Sequence, residues 1–372
     1  MIHVIDNIPT DLSETPLDPG EIESVTIIKD IVGKAMYGPA GADGIIYIKT
    51  RHGHVNQNIL NIDIESGVSV IDRFPEWVTG VDYASLNNQA RLNNQLEPRY
   101  SNSDISSYGK NDPYNKFHPN VNFREMMLNN TRSFRRANIM SSGGTDNIQY
   151  FAFLGYNGEG DIYEIGPIAD YNRINARSNI DIKINDFLRV KFGFYGGLSY
   201  RRSANYGGST GEGTMNLVEF NSVIKDITTI PPIAFPIYAN NDVSLDKPWY
   251  GVSNAYKINP VGELVEGGFY TEQGRIGTSN ISLDYDMSHL LTGLKSTTFV
   301  GFNVTDVMRI GKAEYYPAYI VTPVADSIQL TYVHEGKSTP NFSNLHDYYS
   351  QRYSAFESLS YSNSFGSHDF QM

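Results

Sequence analysis

The chain has 372 residues, 41 acidic against 29 basic side chains for a formal net charge of -12, and no cysteine. The acidic balance without a basic block argues against a general nucleic-acid binder, and the missing thiols exclude a disulfide framework and a Cys-ligated zinc site. The 26 Tyr, 18 Phe and 33 Gly describe aromatic strands joined by polar loops rather than a helical protein. No apolar run reaches the roughly 18 residues of a membrane helix, a test to which β-barrels are blind because their strands alternate lipid-facing and lumen-facing side chains.

The first 17 residues hold a strand-like Ile2-His3-Val4-Ile5 and a turn from Asn7 to Pro9. Residues 18 to 53 then form one compact unit. Pro19, Glu21 and Glu23 predict a helix entry, followed by a short helix or strand carrying Val25, Ile27 and Ile28. Gly38-Pro39-Ala40-Gly41 must turn, and Gly44 to Thr50 reads as a strand buried on both faces. Taken alone, this is an anonymous α/β unit with a glycine turn.

Leu60 to Glu65 alternates strictly and predicts a strand. Residues 74 to 131 read as a connection in which Asp82 to Gln95 forms a helix. From Arg132 onward alternation dominates. Ile148, Tyr150, Ala152, Leu154 and Tyr156 share one face, with a tight turn at Ser142 to Asn147 before them. Ile174, Ala176, Ile180, Ile182 and Ile184 share another, against Arg173, Asn175, Arg177, Asn179, Asp181 and Lys183. Asn185-Asp186 turns the chain into Val190, Phe192, Phe194, Leu198 and Tyr200. Further strands run through Ile281 to Met287, Val300 to Val304 and Tyr353 to the end. Alternations longer than the usual five or six residues, with short connections on one side and long ones (203 to 268, 309 to 350) on the other, fit a barrel with a wet interior.

Few residues invite chemistry. His52 and His54 are two ligands where a metal needs three or four, and a solvated strand exit explains them. Asp284 and Asp286 share a strand face too sparse for calcium. Gly207 to Gly213 lacks the Gly-Lys-Ser/Thr ending of a phosphate loop, and there is no G-x-S-x-G or HExxH motif. No catalytic, cofactor or metal residue is assigned, and the chain is not read as an enzyme. Tyr206, Trp249, Tyr250, Tyr256, Phe269 and Tyr270 in the long connections are candidate substrate contacts, with loop packing as the alternative.

Ile22, Glu23, Ser24, Lys29, Asp30, Tyr37, Gly38, Gly41, Ala42 and Gly44, with Arg51 and Gly53 at the exit, resemble the signature closing the plug domain of SusC/RagA-type TonB-dependent outer-membrane transporters. The middle, Ile31 to Lys34, departs from that family's alanine-rich stretch, and Phe123 stands where its turn before the second barrel strand has tryptophan. The resemblance implies a mainly β fold: the C-terminal part of a small α+β plug over residues 1–55, then over 56–372 a partial antiparallel transmembrane β-barrel of about eight or nine strands, where plugged transporters have 22. It implies that the chain covers under half of the family's length, with signal peptide, TonB-binding box and first half of the plug lying outside it. It further implies a bacterial outer-membrane location, lipid around the barrel, TonB and a SusD-like surface lipoprotein as partners, and import of an oligosaccharide or peptide. The competing reading is a soluble or surface-exposed β-sheet glycan-binding module. It is separated from the first by whether Val190, Phe192, Phe194 and Leu198 face another sheet.

Overall fold

The computed structural model describes residues 2–10, 16–29, 37–167, 169–205, 220–240, 248–334, 341–365 and 368–371. Asp30, Tyr206 and the Gly207 to Gly213 stretch lie outside them.

A small sheet comes first. β1 (Ile2–Ile5) and β2 (Ile8–Thr10) form a hairpin over Asp6 and Asn7, both at positive φ (45° and 70°), the combination a two-residue type I′ turn requires. β3 (Ile22–Ile28) and β4 (Ile45–Thr50) complete it in the order β2-β1-β4-β3, with β4 parallel to β1 and antiparallel to β3. The expected helix entry is a single 3-10 turn, Pro19–Glu21. Asp18 and Glu21 cap it reciprocally, and the β-branched run Val25-Thr26-Ile27-Ile28 continues as a strand. β4 is central, with Ile45, Ile48 and Thr50 buried, Ile46 and Tyr47 half-buried and Lys49 exposed, so the burial expected on both faces is incomplete. Ile45 is buried on one face and Ile48 and Thr50 on the other, so both faces are covered in part.

The main sheet is an open antiparallel meander. β5 (Asn58–Val70), β6 (Thr131–Gly144), β7 (Ile148–Gly160), β8 (Asp170–Lys183), β9 (Leu188–Ala204), β11 (Gly268–Asp286), β12 (Leu294–Ala313) and β15 (Asn341–Phe365) pair in sequence, and β16 (His368–Gln371) folds onto the edge of β15. β5 is twice the length of the expected Leu60 to Glu65, and β9, β11, β12 and β15 extend into stretches that read as loops. Short turns join the strands at one end. In one of them Asn185 Oδ1 accepts from the amides of Phe187 and Leu188, both at 2.9 Å.

The long connections at the other end are packed. They hold α1 (Gly80–Asn93), α2 (Asn102–Tyr108), α3 (Phe123–Met127), α4 (Phe220–Thr229) and α5 (Pro260–Glu266). A three-stranded sheet of β10 (Tyr250–Val252), β13 (Ala318–Val324) and β14 (Ser327–His334) lies among them. Their core gathers Phe123, Met127, Ile227, Phe235, Ile237, Tyr250, Leu264 and Tyr316 from three connections. Asn259, fully buried, ties it together. Its side chain caps α5 by accepting from the amides of Val261 and Gly262, and donates to the carbonyls of Ile237 (3.0 Å) and Gly251 (2.8 Å).

The two faces of the main sheet differ. One carries Ile174, Phe192, Phe194, Leu198, Ile281 and Val300, with Phe192 43%, Phe194 44% and Leu198 60% exposed. No second sheet of the described residues covers them. The opposite face is polar, and the small sheet lies on it.

Candidate functional site

The contact between the small sheet and the wall is built on alternate residues of β8, which all point to one face because the side-chain period of a strand is two. Asn175, Arg177, Asn179 and Asp181 all bond the small-sheet unit. Asn175 Nδ2 and Arg177 Nε each donate to the Glu21 carboxylate at 2.6 Å. Glu21 is 0% exposed, and its Oε1 also accepts from the Asp18 amide at 3.2 Å. Arg177 lies 3.7 Å from Asp6 Oδ2 and 4.8 Å above the Tyr195 ring. Asp6 accepts from the Thr50 amide (2.9 Å) and hydroxyl (2.6 Å), so the guanidinium neutralises the two carboxylates that organise both ends of the unit. Asn179 Nδ2 donates to Thr50 Oγ1 at 2.8 Å and to the Arg51 carbonyl at 2.7 Å. Asp181 meets His52 Nδ1 at 3.1 Å.

Neighbouring strands add fewer ties. Asn138 of β6 donates to Asp18 at 3.2 Å, and the Tyr195 hydroxyl of β9 donates to the Pro16 carbonyl at 3.2 Å. Phe151 and Phe153 of β7 are buried beneath the unit, with Gly20 against Phe153. Gly53 passes so close to the wall that a Cβ there would sit 2.4 Å from the Tyr150 amide nitrogen and 2.5 Å from the Gly143 carbonyl oxygen. A Cβ at Gly301 of β12 would sit 2.9 Å from the Ile8 side chain.

The signature residues themselves mostly shape the small sheet. Ile22 pairs with Thr50 across β3 and β4, Glu23 bridges Lys49 at 2.9 Å, and Ser24 continues β3. Lys29 is exposed just past β3, and burial raises the Tyr37 hydroxyl pKa. Gly38 (φ 56°) and Gly44 (φ 102°) take positive φ on either side of the turn that holds buried Gly41 and exposed Ala42. Asp18, Glu21 and Thr50, whose side chains bond the wall, lie outside the signature, whereas Arg51 at its exit meets the wall through its carbonyl. Asp18-Pro19-Gly20-Glu21 has the spacing of a capping box, a sequence signal that could have singled out the first two.

A cavity of about 720 Å³ lies at the long-connection end of the polar face, between the tops of β5 to β11 and the segments around Phe74, Tyr163 and α4. Ser69, Arg132, Glu159, Tyr171, Arg201 and Tyr270 reach it from the strands. Arg132 pairs with Glu159 at 3.3 Å, and Arg201 lies 5.1 Å from the Tyr171 ring. Burial pushes the Asp161 carboxyl above its ordinary pKa, opposed by the Ile162 amide and by Arg132 and Arg201.

Of the aromatic residues expected to contact substrate, Tyr270 lines this cavity. Tyr250 is 1% exposed and packs edge-on against Tyr238 and Tyr316. Tyr256 packs on the same core, Trp249 stacks on Tyr319 at 4.6 Å, and Arg202 covers Phe269 at 5.1 Å. Asp284 pairs with Lys191 at 2.7 Å, and Asp286 accepts from the Ser288 amide. Among the described residues no three His, Asp or Glu converge as a metal site.

An open section of a strand meander, apolar outside and carrying a small plug-like sheet bonded to its polar inside, defines part of a plugged β-barrel. No protein-family profile matches the chain. In sequence it is similar to TonB-dependent receptor P3 of Formosa agariphila, at 21% identity over 95% of this chain and 30% of that protein. It is also similar to TonB-dependent receptor P26 of the same organism, at 24% identity over 61% of this chain and 21% of that protein. In fold it matches the RagAB peptide transporter (TM-score 0.67, 17% identity, 100% of this chain and 40% of that one) and the RagAB peptide importer in its closed-closed state (TM-score 0.66, 17% identity, 98% and 39%). The resemblance read from residues 18 to 53 is borne out: the chain is similar to SusC/RagA-type TonB-dependent transporters. It spans less than a third of the length of the curated relatives it matches.

Proposed function

We propose that this chain is the end of the plug and the first wall section of a SusC-like channel that imports a nutrient, an oligosaccharide or peptide, across the bacterial outer membrane. The observation that carries the reading is the bonding of residues 6 to 52 to the polar face of β8, while the opposite face leaves Phe192, Phe194 and Leu198 uncovered. A soluble glycan-binding module would leave that apolar face in water, where contiguous patches of this kind are rare.

In this reading residues 1–55 are plug and 56–372 barrel, the short turns face the periplasm, and the packed connections form the outer vestibule. The Glu21-Arg177 pair and the Asn179 bonds hold the plug closed. Energy transmitted by TonB, acting on plug outside this chain, breaks them after substrate arrives beneath a SusD-like lipoprotein. Nothing in this cycle requires catalysis by the chain. Peptides enter the proposal because the two fold neighbours are peptide transporters. Fractionation of the full-length gene product should place it in the outer membrane, heat-modifiable in electrophoresis, with substrate uptake abolished in a strain lacking TonB. A soluble product that does not change mobility on heating refutes the reading.

A further inference from the structure

The lining of the vestibule cavity is chemically lopsided. Val70, Ile71, Pro75, Ile162 and Ile224 make an aliphatic wall. Opposite it stand four arginines (73, 132, 201, 202) against three carboxylates (159, 161, 170), a balance of +1 in a chain whose net charge is -12. Arg132 is committed to Glu159. Arg201 forms no salt bridge among the described residues; its guanidinium interacts with the Tyr270 hydroxyl and, at longer range, with the Asp161 carboxyl. The acidic residue beside it across β11, Glu272, is held by Arg309 at 2.7 Å. The cross-strand partner of Arg201 on β8 is Tyr171, whose ring supports the guanidinium from one face. That support fixes the plane and leaves its N–H edge able to meet a carboxylate with two parallel hydrogen bonds.

Two of the aromatic groups there are already covered. Tyr171 is covered by Arg201, and Phe74 lies between Arg124 (5.0 Å) and Trp77 (5.2 Å). An aliphatic wall beside a guanidinium that has no salt bridge among the described residues suits a ligand that is apolar at one end and anionic at the other.

Resting on the transport reading above, we infer that this cavity receives a short peptide by its C-terminus, the terminal carboxylate on Arg201 and an apolar side chain on the wall of Val70, Ile71 and Ile162. The test is calorimetric titration of the purified full-length protein in detergent with Leu-Leu-Leu and its C-terminal amide. The free acid should bind at least about ten-fold more tightly than the amide, as expected for loss of a charged hydrogen-bonded pair. Arg201→Gln should abolish that preference, and Arg201→Lys should retain part of it. Equal binding of acid and amide, a preference that survives Arg201→Gln, or binding of a uronic-acid oligosaccharide but of neither peptide overturns the inference. Absence of peptide binding by a protein that is heat-modifiable and outer-membrane-bound overturns it too and leaves transport standing, whereas loss of heat-modifiability removes the transport reading itself.

Discussion

Replacing Glu21 with Gln should loosen the plug without disturbing the wall. The amide keeps an acceptor for Asn175 and for the Asp18 amide but removes the charge facing Arg177, whose side chain is only 5% exposed. Breaking a buried ion pair from one side costs about 3–5 kcal/mol. Here Asp6 at 3.7 Å and the Tyr195 ring at 4.8 Å still support the guanidinium, which places the loss at the low end, about 3 kcal/mol. At about 1.4 kcal/mol per decade, this corresponds to roughly 100-fold faster exchange wherever amides open by plug undocking. Hydrogen exchange of the full-length protein in detergent should show that increase across Ile22–Ile28 and Ile45–Thr50 while β8 and β9 stay protected. The pair Glu21→Gln with Arg177→Met should recover only part of the loss, because it removes both charges of the pair but leaves Asp6 without its guanidinium partner. Exchange in Glu21→Gln within about three-fold of the parent, or equal loosening of plug and wall, would show that the pair does not hold the plug down.

Three further outcomes follow from the same geometry. Gly53→Ala places a Cβ against backbone at 2.4 Å, which neither Gly143 nor Tyr150 can relieve by a side-chain movement, so assembled barrel yield should fall sharply in a heat-modifiability assay. Phe194→Arg should destabilise a lipid-inserted barrel by about 2–4 kcal/mol in a urea titration in lipid, whereas a soluble sheet would gain solubility from the same change. The Asp104 carboxyl is held below its ordinary pKa, chiefly by the His118 ring at 2.9 Å and then by Ser101, which it caps at the start of α2. A depressed acid stabilises the fold above its unfolded value near 3.8 and loses that contribution as pH falls through the lower folded value. Exchange in Asn102–Tyr108 should therefore quicken below about pH 4, and Asp104→Asn should remove the acid-dependent step.

Period-two alternation set the strands and their two faces, because a half-buried strand needs only the next-but-one residue to be apolar. Ile174 to Ile184 against Arg173 to Lys183 was legible for this reason, as was the Asn185 turn, which is made by its own side chain. Strand ends were not legible. β12 runs to Ala313 and β15 starts at Asn341 because neighbouring strands supply ladder partners there, and that information is not local. The packed state of the long connections was hidden for a related reason. Their core joins segments over a hundred positions apart, so even the helical spacing of Val223, Ile227 and Ile230 does not show what that apolar face packs against.

The sequence by itself determined that this is a β-protein with an apolar and a polar sheet face, and that residues 18 to 53 resemble the closing part of a plug. It also displayed the polar row of β8, as a list of side chains without partners. Only the tertiary structure decided that Glu21, Thr50, Arg51 and His52 are what the row holds, that Arg177 serves two carboxylates at once, and that Tyr250 belongs to a core. A buried charge is tolerable only with its partner in place, and these partners are separated by more than a hundred residues, a distance that chain pattern does not span and the fold closes.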